Sequence, residues 1–200
     1  MLEKSVNEII IMAIPRGGVV IGDLIASSLG AELDIVVSRK IGAPHNPELA
    51  IGAVMHDGNF FPNKHVIRML NVQKEYINEQ ISVQEKEIQR RLMRFRGSKQ
   101  YVLMNKIVII VDDGIATGAT MIAAIRWLSS QQPKTLMVAV PVAPKDTVDM
   151  LKEEEKVDKV IVLFLPLAFS AVGEFYEDFS QVSDEEVIDI MRRHRHECVM

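Results

Sequence analysis

Five short runs rich in Ile and Val, separated by stretches with helical periodicity, place the strongest constraint on how this chain can fold. Continuous apolar runs of this kind are typical of strands that are covered on both faces, as in a parallel sheet. Strands that alternate with helices form βαβ units, so the sequence predicts an α/β fold with a central, mostly parallel twisted sheet of about five strands flanked by helices. The runs lie at 9–14, 33–37, 106–111, 136–140 and 157–163.

Helical stretches lie between these strands, and we find neither a repeat nor a low-complexity linker. Apolar residues recur at helical spacing over 18–29, 120–130 and 145–154. Near the C-terminus, Ser183 and Glu186 form the Ser-x-x-Glu pattern of a capping box, which predicts a last helix from 184 to about 194. A chain of 200 residues with this organisation is expected to be a single domain, 1–200.

The segment 71–96 breaks the alternation, because it is long and contains neither Gly nor Pro. Its apolar residues recur at helical steps, which predicts a helix with one apolar face and with Asn71 as its N-cap. Such a helix would be about 37 Å long, whereas a domain of this size has a radius of gyration of about 16 Å. It is therefore either a helix that covers the core or a projecting arm used for dimerisation or as a lid. The apolar residues are Ile77, Ile81, Ile88, Leu92 and Phe95.

Charge and cysteine content restrict the class of protein. A net charge of −4 and a pI of about 5.8 argue against a general nucleic-acid-binding surface, which is usually basic. The longest apolar run, 160–172, contains Pro166 and is too short to span a bilayer, so no membrane partner is expected. The single cysteine, Cys198, cannot form an internal disulfide, and the N-terminus has no signal-peptide pattern. Together these features predict a cytoplasmic protein.

Two adjacent acids end the third apolar run, and a loop of small and hydroxylated residues follows them. In an open α/β sheet, ligands bind beyond the carboxyl ends of the strands, where Asp112 and Asp113 are placed. Unpaired N–H groups at the start of the next helix suit a phosphate, whereas carboxylates suit hydroxyl groups. The pattern therefore predicts a site for a ribose 5-phosphate. The lysine of a P-loop is missing, which argues against a P-loop nucleotide site. The residues expected to hold the phosphate are Gly114, Ile115, Ala116, Thr117, Gly118, Ala119 and Thr120.

A second loop with the composition of an anion site follows the first apolar run. Pro15, Arg16, Gly17 and Gly18 lie between the predicted strand and its helix. Glycines let the backbone approach an anion closely, and a guanidinium pairs with phosphate oxygens. An ordinary glycine-rich turn with an exposed arginine is the alternative.

The stretch 108–120 resembles the phosphoribosyl diphosphate (PRPP) signature of type I phosphoribosyltransferases, in which four hydrophobic residues precede two acids and a Thr/Gly-rich loop. Nearly the whole chain also resembles a group of bacterial and archaeal proteins predicted to be phosphoribosyltransferases. They share PRGG near the N-terminus, RK-GAP-NPELAIGAV in the middle and VGEFYEDFSQVSDEEV near the C-terminus. This chain departs from the group before its first strand, where relatives carry a helical stretch. The resemblance implies a type I phosphoribosyltransferase fold, with a helical insertion at 59–100 and a small hood at 163–182.

The resemblance also implies roles for the two loops. Asp112 and Asp113 would contact the ribose hydroxyls, and the loop that follows them would hold the 5-phosphate. The Pro-Arg-Gly-Gly segment would form a pyrophosphate loop that binds the diphosphate of PRPP. A cis or readily isomerised peptide bond is implied between Pro15 and Arg16.

Arg39 and Lys40 come directly after the second predicted strand, again at the carboxyl edge. PRPP carries several negative charges, so an acidic protein must supply local cations, and these two are the best available. We assign them to pyrophosphate binding and, together with Asp112 and Asp113, to catalysis. Gly and Pro in the next residues, 42–47, predict a loop that could move.

The acceptor side is expected after the fifth strand, where aromatic residues could stack on a ring. In purine phosphoribosyltransferases, the matching loop holds the base with an aromatic side chain and backbone groups. For each aromatic residue taken alone, packing against the sheet is the alternative. The candidates are Phe164, Phe169, Phe175 and Tyr176.

We therefore expect transfer of a 5-phosphoribosyl group from PRPP to a nitrogenous base, with a purine-like base favoured and pyrophosphate released. The resemblance implies Mg²⁺ as the cofactor, held mainly through PRPP and pyrophosphate, with few or no ligands from this chain. The expected partners are PRPP, a small nitrogenous acceptor and a second copy of the chain in a homodimer.

Two other classes stay open. One is a regulatory protein of the same fold that binds PRPP or a nucleotide without turnover and acts on RNA or DNA. Arg90, Arg91, Arg94 and Arg96 form the candidate basic patch for that role. The other is a PRPP synthase-like enzyme or an amidotransferase, and the latter would need an N-terminal cysteine that this sequence lacks.

Overall fold

Strands and helices alternate along most of the chain, with one long helical segment in the middle. The structure, a computed structural model, describes residues 8–98, 100–154 and 156–197. A short 3-10 helix, Val172–Phe175, precedes the last helix. In chain order the other elements are β1 (Ile9–Ala13), α1 (Gly17–Leu29), β2 (Glu32–Ile35), β3 (Ser38–Ala43), β4 (Asn46–Met55), β5 (Phe60–Pro62), α2 (Lys64–Met69), α3 (Lys74–Phe95), β6 (Ile107–Val111), α4 (Ala119–Ser130), β7 (Thr135–Val142), α5 (Lys145–Lys152), β8 (Lys159–Phe164) and α6 (Asp184–Glu197).

A five-stranded sheet in the order β2-β1-β6-β7-β8 forms the centre of the fold, and every neighbouring pair in it is parallel. β1 pairs with β6 so that Ile9 lies opposite Ile107 and Ala13 lies opposite Val111. Both strands therefore end at the same level, and the loops that follow them begin side by side. The structure confirms the predicted α/β fold with its five parallel strands.

A second sheet, with the antiparallel order β3-β4-β5, was not expected from the sequence. It packs against α3 on one face and α4 on the other. The segment 42–47, predicted as a loop, contains the turn of the β3–β4 hairpin, with His45 at a φ of 65°. Register shifts on either side of Gly42 interrupt the strand periodicity. Because Ile51 and Val54 of β4 are fully buried, the base of the hairpin is anchored in the core.

The long helix begins later than predicted. α2 ends at Met69 and α3 begins at Lys74, with Gln73 as its N-cap, so the assignment of Asn71 as the N-cap was wrong. Asn71 instead adopts a φ of 47°, a left-handed conformation that asparagine tolerates better than most residues. The C-terminal half of α3 buries its apolar stripe against β3, β4 and α6, as a core-covering helix does.

Within the described ranges, no helix combines the length and the apolar character needed to cross a bilayer.

The last helix starts at the predicted capping box. The Ser183 N–H donates to Glu186 Oε2 at 2.7 Å, and the Glu186 N–H donates to Ser183 Oγ at 3.1 Å. α6 then buries Val187 and Met191 against the core that α1 and α3 cover. Cys198 lies outside the described residues.

A cluster of aromatic rings joins the end of β4 to α4. The ring centroids of His56 and Trp127 are 4.4 Å apart, and those of His56 and Tyr101 are 5.1 Å apart. Trp127 Nε1 donates to Asp57 Oδ2 at 2.9 Å. His56 is only 7% exposed, and burial lowers the pKa of its imidazole below the ordinary value of 6.5. The folded protein therefore favours the neutral form of His56.

We expect His56→Phe to flatten the pH dependence of stability between about pH 7 and about pH 5. Because the folded pKa is lowered, the unfolded chain takes up the proton first. The contribution to stability is thus fully present above the unfolded pKa and is lost as the pH falls below it. Urea unfolding at several pH values measures the slope of the free energy of unfolding against pH. The exposed His65 supplies the control variant His65→Gln. A wild-type slope in His56→Phe would contradict the assignment.

Candidate active site

The loops after β1 and β6 meet at the carboxyl edge of the sheet so closely that one of them has no room for side chains. A methyl group on Gly17 would lie 1.8 Å from Asp113 Oδ2, and one on Gly18 would lie 2.9 Å from Asp112 Cα. Both distances are shorter than van der Waals contact, so only glycine allows this arrangement. The structure brings together the two acids and the Gly-Gly pair that the sequence singles out.

Arg16 lies in the turn that leads into α1, beside the acids. The peptide bond between Pro15 and Arg16 is cis, which confirms the prediction from the resemblance. Arg16 Nη1 contacts Asp184 Oδ1 of α6 at 3.4 Å, and Arg94 Nη1 donates to Asp184 Oδ2 at 2.8 Å. The ion pair of Arg16 is long and therefore weak, so an incoming anion can replace it.

Asp112 and Asp113 have no cationic side chain within ion-pair distance in the described part of the chain. Asp112 Oδ1 accepts a hydrogen bond from the Asp113 N–H at 2.9 Å. Burial and the charge of Asp113 raise the pKa of Asp112 well above its usual range, and burial also raises the pKa of Asp113. The pair is thus suited to a ligand that brings hydroxyl donors or positive charge.

The start of α4 is open to an anion, because no side chain caps it. Its N-cap, Gly118, has a φ of 75°, in the left-handed region that glycine adopts most easily. Thr117 is exposed beside it. Thr147 Oγ1 of α5 donates to Ala116 O at 2.6 Å and so ties the loop to that helix. The free N–H groups and partial positive charge at such a helix start favour a phosphate.

Ile115, predicted as a phosphate-binding residue, has a different role. Its side chain is 3% exposed and belongs to the core, and its N–H donates to Val142 O at 3.0 Å. That N–H is therefore not free to bind a phosphate in this arrangement. Ile115 instead anchors the loop to β7, while the other predicted residues of the loop lie between the acids and the first turn of α4.

The segment after β8 lies over the acids. A methyl group on Gly114 would lie 2.6 Å from Val172 Cγ1 of the 3-10 helix. The Tyr176 hydroxyl donates to Asp113 O at 2.5 Å. Burial, together with the charges of Asp113 and Asp112, raises the pKa of Tyr176 to about 12, so the hydroxyl stays protonated at neutral pH. This hydrogen bond ties the segment predicted as the hood to the acid loop.

Two cavities reach the loop between β6 and α4. The first has a volume of about 500 Å³ and contains both Arg16 and Asp113. The second has a volume of about 430 Å³ and contains Thr117 and Ala119 at the start of α4, together with Lys64. Besides Arg16 and Asp113, the first cavity is lined by Gly17, Val20, Ile21, Tyr176, Asp178, Phe179, Ser180, Gln181 and Val182.

The chain matches one protein family over most of its length. Residues 2–179 match the phosphoribosyl transferase domain family. The chain belongs to the phosphoribosyltransferase family. A Mycobacterium tuberculosis H37Rv protein, named provisionally as a phosphoribosyl transferase, is 39% identical over 197 residues, which are 98% of this chain and 44% of that protein. This chain therefore spans less than half the length of that relative.

A solved structure has a similar fold. The crystal structure of the protein TT1426 from Thermus thermophilus superposes on this chain with a TM-score of 0.78 and 36% sequence identity. The match covers 96% of this chain and 90% of that chain. The fold of that protein thus matches almost the whole of this chain.

Three of the four aromatic residues proposed for the acceptor side of this phosphoribosyltransferase fold do not line the cavity that contains Asp113. The rings of Phe164 and Phe175 are 5.7 Å apart and those of Phe169 and Phe175 are 5.5 Å apart, so these residues pack on one another. These three rings form a cluster of their own, and a role for them at the acceptor stays a prediction. Tyr176 does line the cavity, and so does Phe179, which the sequence reasoning missed. The available signal for Phe179 was its place three residues after Tyr176.

Arg39 and Lys40 follow β2 closely, as predicted, but they lie within β3 of the small sheet and not in a loop. Directly opposite residues of an antiparallel pair share a face. Arg39 lies opposite Val54, which packs in the core on the α3 side, and Lys40 lies opposite Ala53, which packs on the α4 side. The two residues therefore start from opposite faces of the strand, although both line one cavity between α3 and β3. Lys40 Nζ contacts Glu48 Oε2 at 2.8 Å.

The four arginines considered as a basic patch each have a carboxylate partner. Two of them share one glutamate of α3, and the other two reach α6 and β2. Their charges are compensated within the fold, so they do not form a free basic surface for RNA or DNA. The pairs are Arg90–Glu87, Arg91–Glu87, Arg94–Asp184, Arg94–Glu185 and Arg96–Asp34.

The acid pair fits a cation that is held through a phosphorylated substrate. Among the described residues, no group of three or more His, Cys, Asp or Glu side chains is placed to hold a metal ion. Asp112 and Asp113 supply two carboxylates at the edge of the site. Mg²⁺ usually keeps several waters and binds through one or two carboxylates plus substrate phosphates, so these residues suit it.

Proposed function

We propose that the protein transfers the 5-phosphoribosyl group of PRPP to a ring nitrogen of a purine-like base and releases pyrophosphate. The observation that carries this proposal is the meeting of two loops at one sheet edge. There the carboxylates of Asp112 and Asp113 lie against the backbone of Gly17 and Gly18, and Arg16 lies in the same cavity as Asp113. These groups complement the hydroxyls and the diphosphate of a single PRPP molecule.

Each charged part of PRPP has a complementary group at this edge. The open N–H groups at the start of α4 take the 5-phosphate, and the two carboxylates accept hydrogen bonds from the ribose hydroxyls. Arg16 and the backbone of Gly17 and Gly18 take the diphosphate. Roles for Lys40 and Arg39 at the diphosphate stay predictions, since both residues line another cavity, between α3 and β3.

Catalysis of this reaction depends on positioning and charge stabilisation more than on covalent chemistry. The bond between ribose C1 and the diphosphate oxygen breaks, its electron pair leaves with pyrophosphate, and the ring takes on positive charge. A lone pair of the base nitrogen forms the new bond to C1, and the proton of that nitrogen passes to solvent. Asp112 and Asp113 stabilise the developing positive charge, and Arg16 stabilises the negative charge on pyrophosphate.

Mg²⁺ is part of the proposal as the cofactor. When bound, it supplies positive charge to the diphosphate oxygens of the substrate. Asp112 and Asp113 are the side chains of this chain that would hold it. Burial raises the pKa of both carboxyl groups. A cation beside them would act in the opposite direction and favour their ionised forms.

The acceptor base is proposed to occupy the cavity of about 500 Å³ beside Asp113. Its volume lies within the usual range for small-molecule sites. Val20, Ile21 and Phe179 give it apolar walls that suit a flat ring, while Asp178 and Gln181 can bind the polar edge of that ring. An apolar wall with few polar groups favours a purine-like base over a simple amine.

A homodimer in the cytoplasm completes the proposal. Leu24 of α1 and Leu163 of β8 are 64% and 82% exposed, and they line an apolar groove together with Ile161. Large apolar side chains exposed in one place usually mark an interaction surface. A second copy of this chain is the proposed partner.

Pyrophosphate release in the presence of PRPP, Mg²⁺ and a panel of purines, pyrimidines and simple amines tests the function. We expect release with at least one purine and a nucleoside monophosphate as the second product. The double variant Asp112→Asn, Asp113→Asn serves as the control with strongly reduced release. Tight binding of PRPP without release for any acceptor would overturn the proposal and favour a PRPP-binding regulatory protein.

A further inference from the structure

A polar cavity of about 510 Å³ lies between α3 and β3, which is an edge strand of the small sheet. Among the residues that line it are Arg39, Gln84 and Arg91. Neither Arg16, Asp113 nor the start of α4 belongs to its lining, so it is separate from the proposed reaction centre.

One stripe of α3 faces this cavity. Tyr76, Gln80, Gln84 and Arg91 are separated by four or seven residues, so they project from the same side of the helix. All four are half-buried although all four are polar. Polar groups that are taken out of bulk water need partners. Tyr76 donates to Gly42 O, Gln84 accepts from Arg39, and Arg91 pairs with Glu87.

Arg39 is the cation at the centre of this arrangement. Its Nε donates to Gln84 Oε1 at 2.8 Å, and no carboxylate of the described chain lies within ion-pair distance of it. Burial, followed by the charge of Arg91, lowers the pKa of Arg39, which means that its surroundings oppose its charge. The only carboxylate in the lining, Glu48, is already paired with Lys40. Of the three cations in the lining, Arg39, Lys40 and Arg91, Arg39 is thus the one without a carboxylate partner in the described chain.

We propose that this cavity is a second anion site, which binds inorganic phosphate or a small phosphate ester independently of the PRPP site. The guanidinium of Arg39 offers its remaining N–H donors in the planar geometry that matches phosphate oxygens. Arg91 supplies a second guanidinium, and Gln80 adds an amide donor. An anion bound here would link α3 to the hairpin, beside the ion pair of Lys40 and Glu48 that also lines the cavity.

Calorimetric titration with inorganic phosphate, with and without saturating PRPP, tests the proposal. We expect one phosphate site to persist when PRPP is bound. Gln84→Glu should weaken that site by about tenfold or more, because it keeps the volume of the side chain and gives Arg39 an internal carboxylate. Arg39→Gln should have the same effect. Arg90→Gln is the matched control, since Arg90 pairs with the same Glu87 as Arg91 but lies outside the cavity.

Three results would overturn the proposal. One is a single phosphate site that PRPP abolishes, which would place Arg39 at the diphosphate of the reaction centre. Another is full phosphate affinity in Gln84→Glu, the variant that remains informative if Arg39→Gln does not fold. The third is an equal loss in Arg90→Gln, which would indicate only a long-range effect of charge. Because binding is the readout, failure of the enzymatic proposal would leave this test unaffected.

Discussion

Replacing Asp112 and Asp113 with asparagine is expected to lower turnover by roughly 100-fold. Asparagine keeps the shape of the side chain but removes the charge that stabilises the positive ribose ring in the transition state. Because the charge on the ring is absent in the ground state, the affinity for PRPP should change much less than the rate. Single-turnover rates and PRPP titrations with one demonstrated acceptor separate the two effects. An unchanged rate constant at saturating PRPP would exclude the catalytic role.

The same double variant should also be more stable than the wild-type protein at neutral pH. The pKa of each acid is raised in the folded state, so ionisation of the pair opposes folding. The free-energy cost of ionising the pair in the folded protein is present at neutral pH. It disappears as the pH falls through the raised pKa values of the folded state toward the ordinary pKa of 3.8. The stability difference between variant and wild type should therefore shrink in acid. Asp189→Asn, at an exposed position of α6, provides the control.

Gly17→Ala is expected to lower kcat/KM by about 100-fold, because a displacement of about 1 Å in a catalytic group can have that effect. The added methyl group would lie 1.8 Å from Asp113 Oδ2 and 2.6 Å from its Cγ. Rotation of the carboxylate alone cannot relieve both contacts, so either Asp113 or the start of α1 must move. Steady-state kinetics, with the folded fraction checked by circular dichroism, measures the effect.

Gly58→Ala is the matched control for Gly17→Ala. Gly58 has a φ of 79°, in the turn after β4, and a methyl group there would meet only the end of the Glu85 side chain at 2.6 Å. This variant should lose stability through backbone strain while each folded molecule keeps its full activity. Equal activity losses in both variants would show that general destabilisation, and not the displacement of Asp113, causes the effect.

The parallel sheet and its two loops could be predicted because their signals are local. Four aliphatic residues followed by Asp112 and Asp113 show where a buried strand ends and what is placed there. Ser183 and Glu186 likewise mark a helix start within four residues. The close contact between Gly17 and Asp113 depends on β1 and β6 being neighbours. Local patterns do not contain that information, although both loops could be assigned to the same edge of the sheet.

The hairpin and the residues that depend on it could not be predicted in the same way. Gly42 and Pro47 are typical of a loop, and the register shifts at Gly42 hide the period of two that marks a strand. With β3 unrecognised, Arg39 and Lys40 were treated as neighbours in space, whereas a strand sends adjacent side chains to opposite faces. The prediction of Asn71 as an N-cap failed for another reason, since asparagine is favoured both at N-caps and in the left-handed conformation.

The contact between Arg16 and Asp184 has a consequence for the selectivity of the proposed pyrophosphate loop, residues 15–18. An internal carboxylate already occupies one side of the guanidinium, so any anion must compete with it before it can bind. A singly charged ion such as chloride has little advantage over that carboxylate, whereas a diphosphate brings several charges and more than one acceptor oxygen. We therefore expect Asp184 to act as a built-in competitor that keeps the loop clear of common salts and admits only multiply charged ligands.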